Sequence, residues 1–270
     1  MDQIAAKLKA DLPSGLEALR KRSAKADEAL RFDLLGMAWD AGSRSPDAAT
    51  RKAMVRYLLD ATGAKSEHPE QALKFLLDFA EGDFDRDARA ILETLPLSGE
   101  GAAEVARVLG VAQLHSRRPE LKTLSEQAPA GKAHALYASS AWAASLALAR
   151  MGDEERMKFV IAQVKAERDP VLRPTQLFDD LAYTRRQEAF DALRGYLRSA
   201  ERLPRVKDHV PGTREAVRAA TQFALYAEGC PVAGDNVEEA DLHRISVWAD
   251  AQTRWVLRSR AIDPAAVPPR

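Results

Sequence analysis

The sequence predicts an all-α protein, and three observations carry that prediction. Apolar residues recur three and four positions apart along most of the 270 residues, alternating runs of β-branched residues are lacking, and helix-start and helix-stop residues punctuate the chain. Ser14 with Glu17 three residues on reads as a capping box, and Ser45-Pro46-Asp47 reads as a cap before a proline at the first helical position. Gly63, Gly152 and Gly229 follow helical runs, where a left-handed residue closes a last turn without a Cβ penalty. Roughly thirteen helical segments of ordinary length fit between these marks.

After a short N-terminal segment, the predicted helices fall into pairs: 26–41 with 46–62, 69–81 with 85–95, 101–115 with 119–127, 131–151 with 154–167, 174–183 with 186–200, and 212–228 with 237–260. Successive pairs start roughly 30 to 45 residues apart, the spacing at which two-helix units stack because one pair cannot bury its apolar face alone. The expected architecture is therefore a right-handed α-solenoid of about six antiparallel helix pairs forming one domain over residues 1–262. A globular helical bundle is the alternative. Two irregular stretches, 203–213 and 230–236, carry Pro204, Pro211, Pro231 and Gly234 and read as loops, and the Pro-rich residues 263–270 read as a tail.

One unit is clearer than the others. An Ala/Leu-rich run from Trp142 ends in the turn Gly152-Asp153 and is followed by the amphipathic Met157-Lys-Phe-Val-Ile-Ala-Gln-Val164. Ala143, Ala144, Ala147 and Ala149 would let helices approach closely, while Leu146, Leu148, Val160, Ile161 and Val164 would fill the layer between them. The unit, over residues 131–168, resembles a HEAT-like repeat, and the resemblance implies an α-helical repeat protein.

Composition narrows the function classes. Lys+Arg 40 balances Asp+Glu 40, which argues against a protein that grips a polyanion over its whole surface. Cys 1 excludes a disulfide framework and a CxxC redox pair. No run approaches the 18 or so apolar residues of a membrane span, and Met1-Asp2-Gln3 lacks the basic start of a secretory signal, so a cytoplasmic protein without a membrane role is expected.

Sequence signatures of catalysis are equally sparse. His68, His115, His134, His209 and His243 fall in different helical units, with no HExxH and no i, i+4 pair. Neither a G-x-S-x-G elbow nor a phosphate-binding glycine loop occurs. Cys230 follows a helix C-terminus, whose dipole disfavours a thiolate. Glu154-Glu155 and Glu238-Glu239 sit where helices begin and are explained as dipole partners, while one of Asp179-Asp180 must face inward or sit near the layer boundary. No catalytic residue, metal or cofactor is expected.

The last predicted helix carries the candidate binding residues. Trp248 and Trp255 are seven apart and would share a face, with Arg244 one turn before; Asp250 and Arg254 would form an i, i+4 stripe beside them. Arg194 and Arg198, on the preceding pair, join this set. Further arginines and lysines at Arg51, Arg56, Lys158 and Lys165 would give a partly basic concave face. Aromatic and arginine surfaces serve binding hot spots, and the tryptophans with an Asp and basic residues also resemble the HEAT-like DNA glycosylases that excise alkylated bases. A structural reading has the two tryptophans closing the end of the core. The leading expectation is a non-enzymatic module that binds another protein. A nucleic-acid-binding protein or glycosylase is the alternative, and a HEAT-like lyase handling tetrapyrroles is implied by the repeat resemblance alone.

Overall fold

In the computed structural model, which describes residues 2–63, 69–127, 133–199 and 211–261, every regular element is helical. The sole β feature among the described residues is an antiparallel bridge between Ala227 and Leu257. The helices are α1 (Asp2–Ala10), α2 (Leu12–Ser23), α3 (Glu28–Ser43), α4 (Ala48–Asp60), α5 (Pro69–Leu76), α6 (Arg86–Thr94), α7 (Ala102–Val111) and α8 (Arg118–Ser125). They continue as α9 (Ala133–Tyr137), α10 (Ser140–Arg150), α11 (Glu154–Ala166), α12 (Phe178–Tyr183), α13 (Gln187–Arg194), α14 (Pro211–Tyr226) and α15 (Leu242–Asp250). A π-helical turn, Arg173–Leu177, leads into α12.

Short polar side chains start these helices by accepting a hydrogen bond from an otherwise orphaned first-turn N–H. Asp27 caps α3, Asp47 caps α4, Asp85 caps α6, Ser139 caps α10 and Asp153 caps α11. The caps differ in place from two expectations. Ser14 lies inside α2, which begins at Leu12, and Glu17 pairs with Lys21 one turn on. Asp47, not Ser45, caps α4, accepting from the Thr50 N–H at 2.7 Å. Among the expected stops, Gly152 (φ +94°) and Gly229 (φ +74°) are left-handed, whereas Gly63 is not.

Several helices are shorter than the periodicity suggests. The expected helix over 131–151 breaks at Ser139, whose hydroxyl takes the Trp142 N–H at 3.2 Å. The expected helix over 69–81 stops at Leu76, since Phe79 is buried and Asp83 folds back to accept from the Ala80 N–H. The helix expected over 237–260 runs only to Asp250, because tertiary bonds described below hold the chain beyond it. The loop at 230–236 is irregular as expected, whereas 211–213 already belong to α14; positions 203–210 and the tail at 263–270 lie outside the described residues.

Contacts gather the chain into two compact units, Met1–Glu120 and Leu121–Arg270, divided within α8. In the first unit the core is largely aliphatic: Leu34 and Ala38 of α3, Met54, Leu58 and Leu59 of α4, Leu76 of α5, Leu92 of α6 and Leu109 of α7 are fully buried. The α3 and α4 backbones approach at Gly42, where an added Cβ would stand 2.5 Å from Met54 Cβ. In the second unit α10 is buried from Ala141 through Ala149, its alanines packed within the protein, and α11 adds Met157, Val160 and Val164. Ile161 is only partly buried. Trp142, Leu146, Phe178, Phe190, Phe223 and Trp255 belong to one continuous apolar cluster of that unit.

Candidate functional site

The residues selected from sequence come together on the second unit, around the end of α13 and the whole of α15, but not as one helical stripe. Helix α15 ends at Asp250, so Arg254 and Trp255 sit on the irregular segment after it, and Asp250 is not the i, i+4 partner of Arg254. Asp250 instead pairs with Arg198, Nη2 to Oδ2 at 2.5 Å, and Arg254 is exposed. Arg244 donates to Asp241 Oδ1 at 3.0 Å.

Arg194 explains why α15 stops. Its Nη1 donates to the carbonyls of Ala249 (3.4 Å) and Gln252 (3.1 Å), supplying donors that the last turn of a helix lacks. Its other branch meets Asp191 at 3.1 Å, and its guanidinium lies 5.5 Å from the centroid of the Trp255 ring. Gln252 turns back to donate to the Trp248 carbonyl at 3.1 Å.

The two tryptophans do meet, with ring centroids 5.7 Å apart, but through the turn and not along a helix face. Trp255 is 4% exposed; its ring lies 4.9 Å from Phe223 and 6.5 Å from Phe190, and its indole N–H donates to Asp191 Oδ1 at 3.1 Å. Trp248 is partly buried and lies edge-on to Phe223 at 6.1 Å. Gln187, Phe190, Asp191 and Phe223 complete this arrangement and were not singled out from sequence. Phe190 and Phe223 read as ordinary core positions, and Gln187 has no local signal: its partner is 68 residues away.

Of the basic residues expected on a concave face, the arginines are tied to acids of the same chain, whereas Lys158 and Lys165 are exposed. In the first unit Arg51 donates through Nε to Asp83 Oδ1 at 2.7 Å and through Nη1 to the carbonyls of Ser45 and Pro46, while Arg56 pairs with Asp85. In the second unit Arg173 bonds Glu215, which is 2% exposed. Of the Asp179-Asp180 pair, Asp180 turns inward to accept from the Trp142 indole at 2.7 Å. Asp179, exposed as a residue, accepts at Oδ1 from the Gln222 amide at 2.7 Å; partial loss of water around its carboxyl, opposed by Arg218 and reinforced by Asp180, raises its pKa above the usual range. Burial, helped by Glu167, pushes the Tyr137 phenol up to about 12. Burial likewise raises the Cys230 thiol, which makes a thiolate less accessible still.

Among the described residues no cluster of three or more His, Cys, Asp or Glu side chains could hold a metal ion. His115 and His243 are exposed, and His68 and His209 lie outside the described residues. No described helix is long and apolar enough to cross a membrane. A cavity of about 270 Å³ opens beside Arg198, lined by Leu197, Glu239, Leu242, His243, Ser246 and Val247. Val247 is 54% exposed. Comparison with protein-family models, with curated proteins and with solved structures finds no match for this chain.

Proposed function

We propose that the chain is a non-enzymatic protein-binding module, built of HEAT-like helix pairs, whose contact surface lies at the end of α13 and along α15. The observation that supports it is the pairing of Arg198 with Asp250 and Arg244 with Asp241 around the exposed Val247. A polyanion is held by cations that are not already neutralised, since affinity comes from releasing its counterions. Mixed charge around an apolar centre and a small cavity instead matches the polar rim and apolar middle of a protein interface. The tryptophans that would stack on an extruded base are occupied in the core, so the geometry favours a protein partner over a nucleic acid.

The reading is tested by capturing partners from a lysate of the native organism with the wild-type chain and with a Val247→Asp variant, each with and without nuclease. A stoichiometric protein that survives nuclease and is lost with Val247→Asp is the expected result. Nuclease-sensitive recovery of nucleic acid would overturn it in favour of a glycosylase-like protein, as would a partner indifferent to the variant.

A further inference from the structure

The segment following α15 is bound to the rest of its unit in the manner of a peptide ligand. Its main chain is paired on both sides. On one, the Gln187 side-chain amide clasps Trp255, accepting from its N–H and donating to its carbonyl, both at 2.7 Å. On the other, the Glu228 N–H donates to the Val256 carbonyl at 2.8 Å and the Arg258 N–H donates to the Tyr226 carbonyl at 2.7 Å, forming the single antiparallel bridge. The Arg258 guanidinium adds a bond to the Ala227 carbonyl at 2.9 Å. These carbonyls close α14 and have no partner of their own in the helix.

Side chains along the segment alternate as they do in an extended peptide laid in a groove. Trp255 is 4% exposed among Phe190, Phe223 and Trp248, Val256 is 59% exposed, and Leu257 is partly buried. Thr253, Arg254 and Ser259 face solvent. Main-chain bonds that ignore side-chain identity, with one deep pocket that selects it, are how proteins recognise extended peptides. The pocket is particular about its anchor: the indole N–H meets Asp191, and the Arg194 guanidinium lies over the ring.

We propose that the groove between α13 and the end of α14 is an extended-peptide site, that residues Trp255–Arg258 fill it in cis, and that they leave it without the helices unfolding. The ligand class is an extended segment with Trp at the pocket, an aliphatic residue two positions on and a basic residue next. Only one side chain of the segment is deeply anchored, and segments with few buried contacts lie at the low-stability end of local opening. The groove is distinct from the surface around Val247, and the test uses only this chain and its own sequence, so either reading can fail without the other.

Hydrogen exchange on the wild-type chain comes first. The amides of Glu228 and Arg258 are expected to exchange about tenfold or more faster than the Ala227 amide, which follows α14 and still donates to the Phe223 carbonyl at 2.9 Å. Equal protection overturns the proposal. A labelled peptide of residues 251–261 is then titrated onto full-length protein. Wild type should bind it weakly, because a tethered segment competes at an effective concentration near millimolar. Trp255→Ala, with its helical circular dichroism intact, should bind it about tenfold or more tightly, and a peptide in which Trp255 is replaced by Ala should bind neither. A folded Trp255→Ala that ignores the peptide, or wild type that binds it equally well, sinks the idea; if the variant does not fold, the exchange measurement decides.

Discussion

The two units are both helical yet use buried polarity differently. In Met1–Glu120, the buried polar bonds finish helices. Arg51 reaches the turn before its own helix as well as Asp83, and Arg117, 7% exposed, gathers the carbonyls of Leu92, Glu93 and Leu95 at the end of α6. In Leu121–Arg270 they tie together segments far apart in sequence: Trp142 to Asp180, Arg173 to Glu215, Gln222 to Asp179, Gln187 to Trp255. The aromatic residues divide likewise. Trp39, half-buried on Phe75 at the edge of the first unit, contrasts with Trp142, Trp248 and Trp255, which interlock with phenylalanines in the second. The first unit places its buried bonds at helix ends and turns, whereas the second uses them to join segments across its core.

The largest expected effect is at the centre of the second unit. Leu146 is fully buried, and Leu146→Asp should abolish the cooperative unfolding transition of that unit, because an unpaired carboxylate there has neither water nor a partner. Ile161→Asp, at a partly buried position, should leave a folded protein with a lowered midpoint. Urea melts followed by tryptophan fluorescence separate the two. Equal loss in both would mean that Ile161 is packed as deeply as Leu146, and an unchanged transition in Leu146→Asp would mean that the α10–α11 layer is not the core of the unit.

Next in size is the contrast between ion pairs. Arg173→Ala leaves Glu215 charged and buried and should cost about 3 to 5 kcal/mol, while Arg173→Met with Glu215→Leu should recover most of that loss. Arg56→Ala, at an exposed pair of the first unit, should shift the midpoint far less. If Arg56→Ala were as damaging as Arg173→Ala, the distinction between capped and tied units would fail. Gly42→Ala belongs between them: the new methyl meets Met54 Cβ and Phe79 Cζ, and overpacking of this kind costs about 1 to 3 kcal/mol. An unchanged midpoint would show that α3 and α4 can separate freely.

These contrasts also mark what the sequence could show. The all-α class was legible from periodicity, and α3, α4, α6 and α11 begin close to the predicted starts, although the Asp residues that cap them were not singled out as caps. The end of α15 was not legible. The pattern from Asp241 to Arg258 continues to look helical, and what stops it is Arg194 arriving from 55 and 58 residues away. For the same reason Trp248 and Trp255 could be chosen from their spacing and still be misplaced: they meet through a turn fixed by Gln187. Asp179-Asp180 lies between these cases. Two adjacent carboxylates on a short helix must diverge, so one had to face inward or lie near the layer boundary, but nothing local said which, or that it would meet Trp142.

Asp179 carries the smallest and most specific expectation, because lost water and the neighbouring Asp180 disfavour its ionised form although the Gln222 bond and Arg218 favour it. Its folded pKa is raised, so the unfolded chain ionises first as pH increases, and stability falls between the unfolded value of about 3.9 and the raised folded value. Above that window a constant cost remains at neutral pH. Asp179→Asn keeps an acceptor for the Gln222 amide and removes the repulsion from Asp180, at the loss of attraction to Arg218. The variant should be slightly more stable than wild type at pH 7, by less than about 0.5 kcal/mol because the residue as a whole is exposed and water screens its charge, and indistinguishable from it below about pH 3.5. Paired urea melts across pH 3 to 8 check the sign. A variant less stable at pH 7 would show that Arg218 outweighs desolvation, making Asp179 one more completed tie of the second unit.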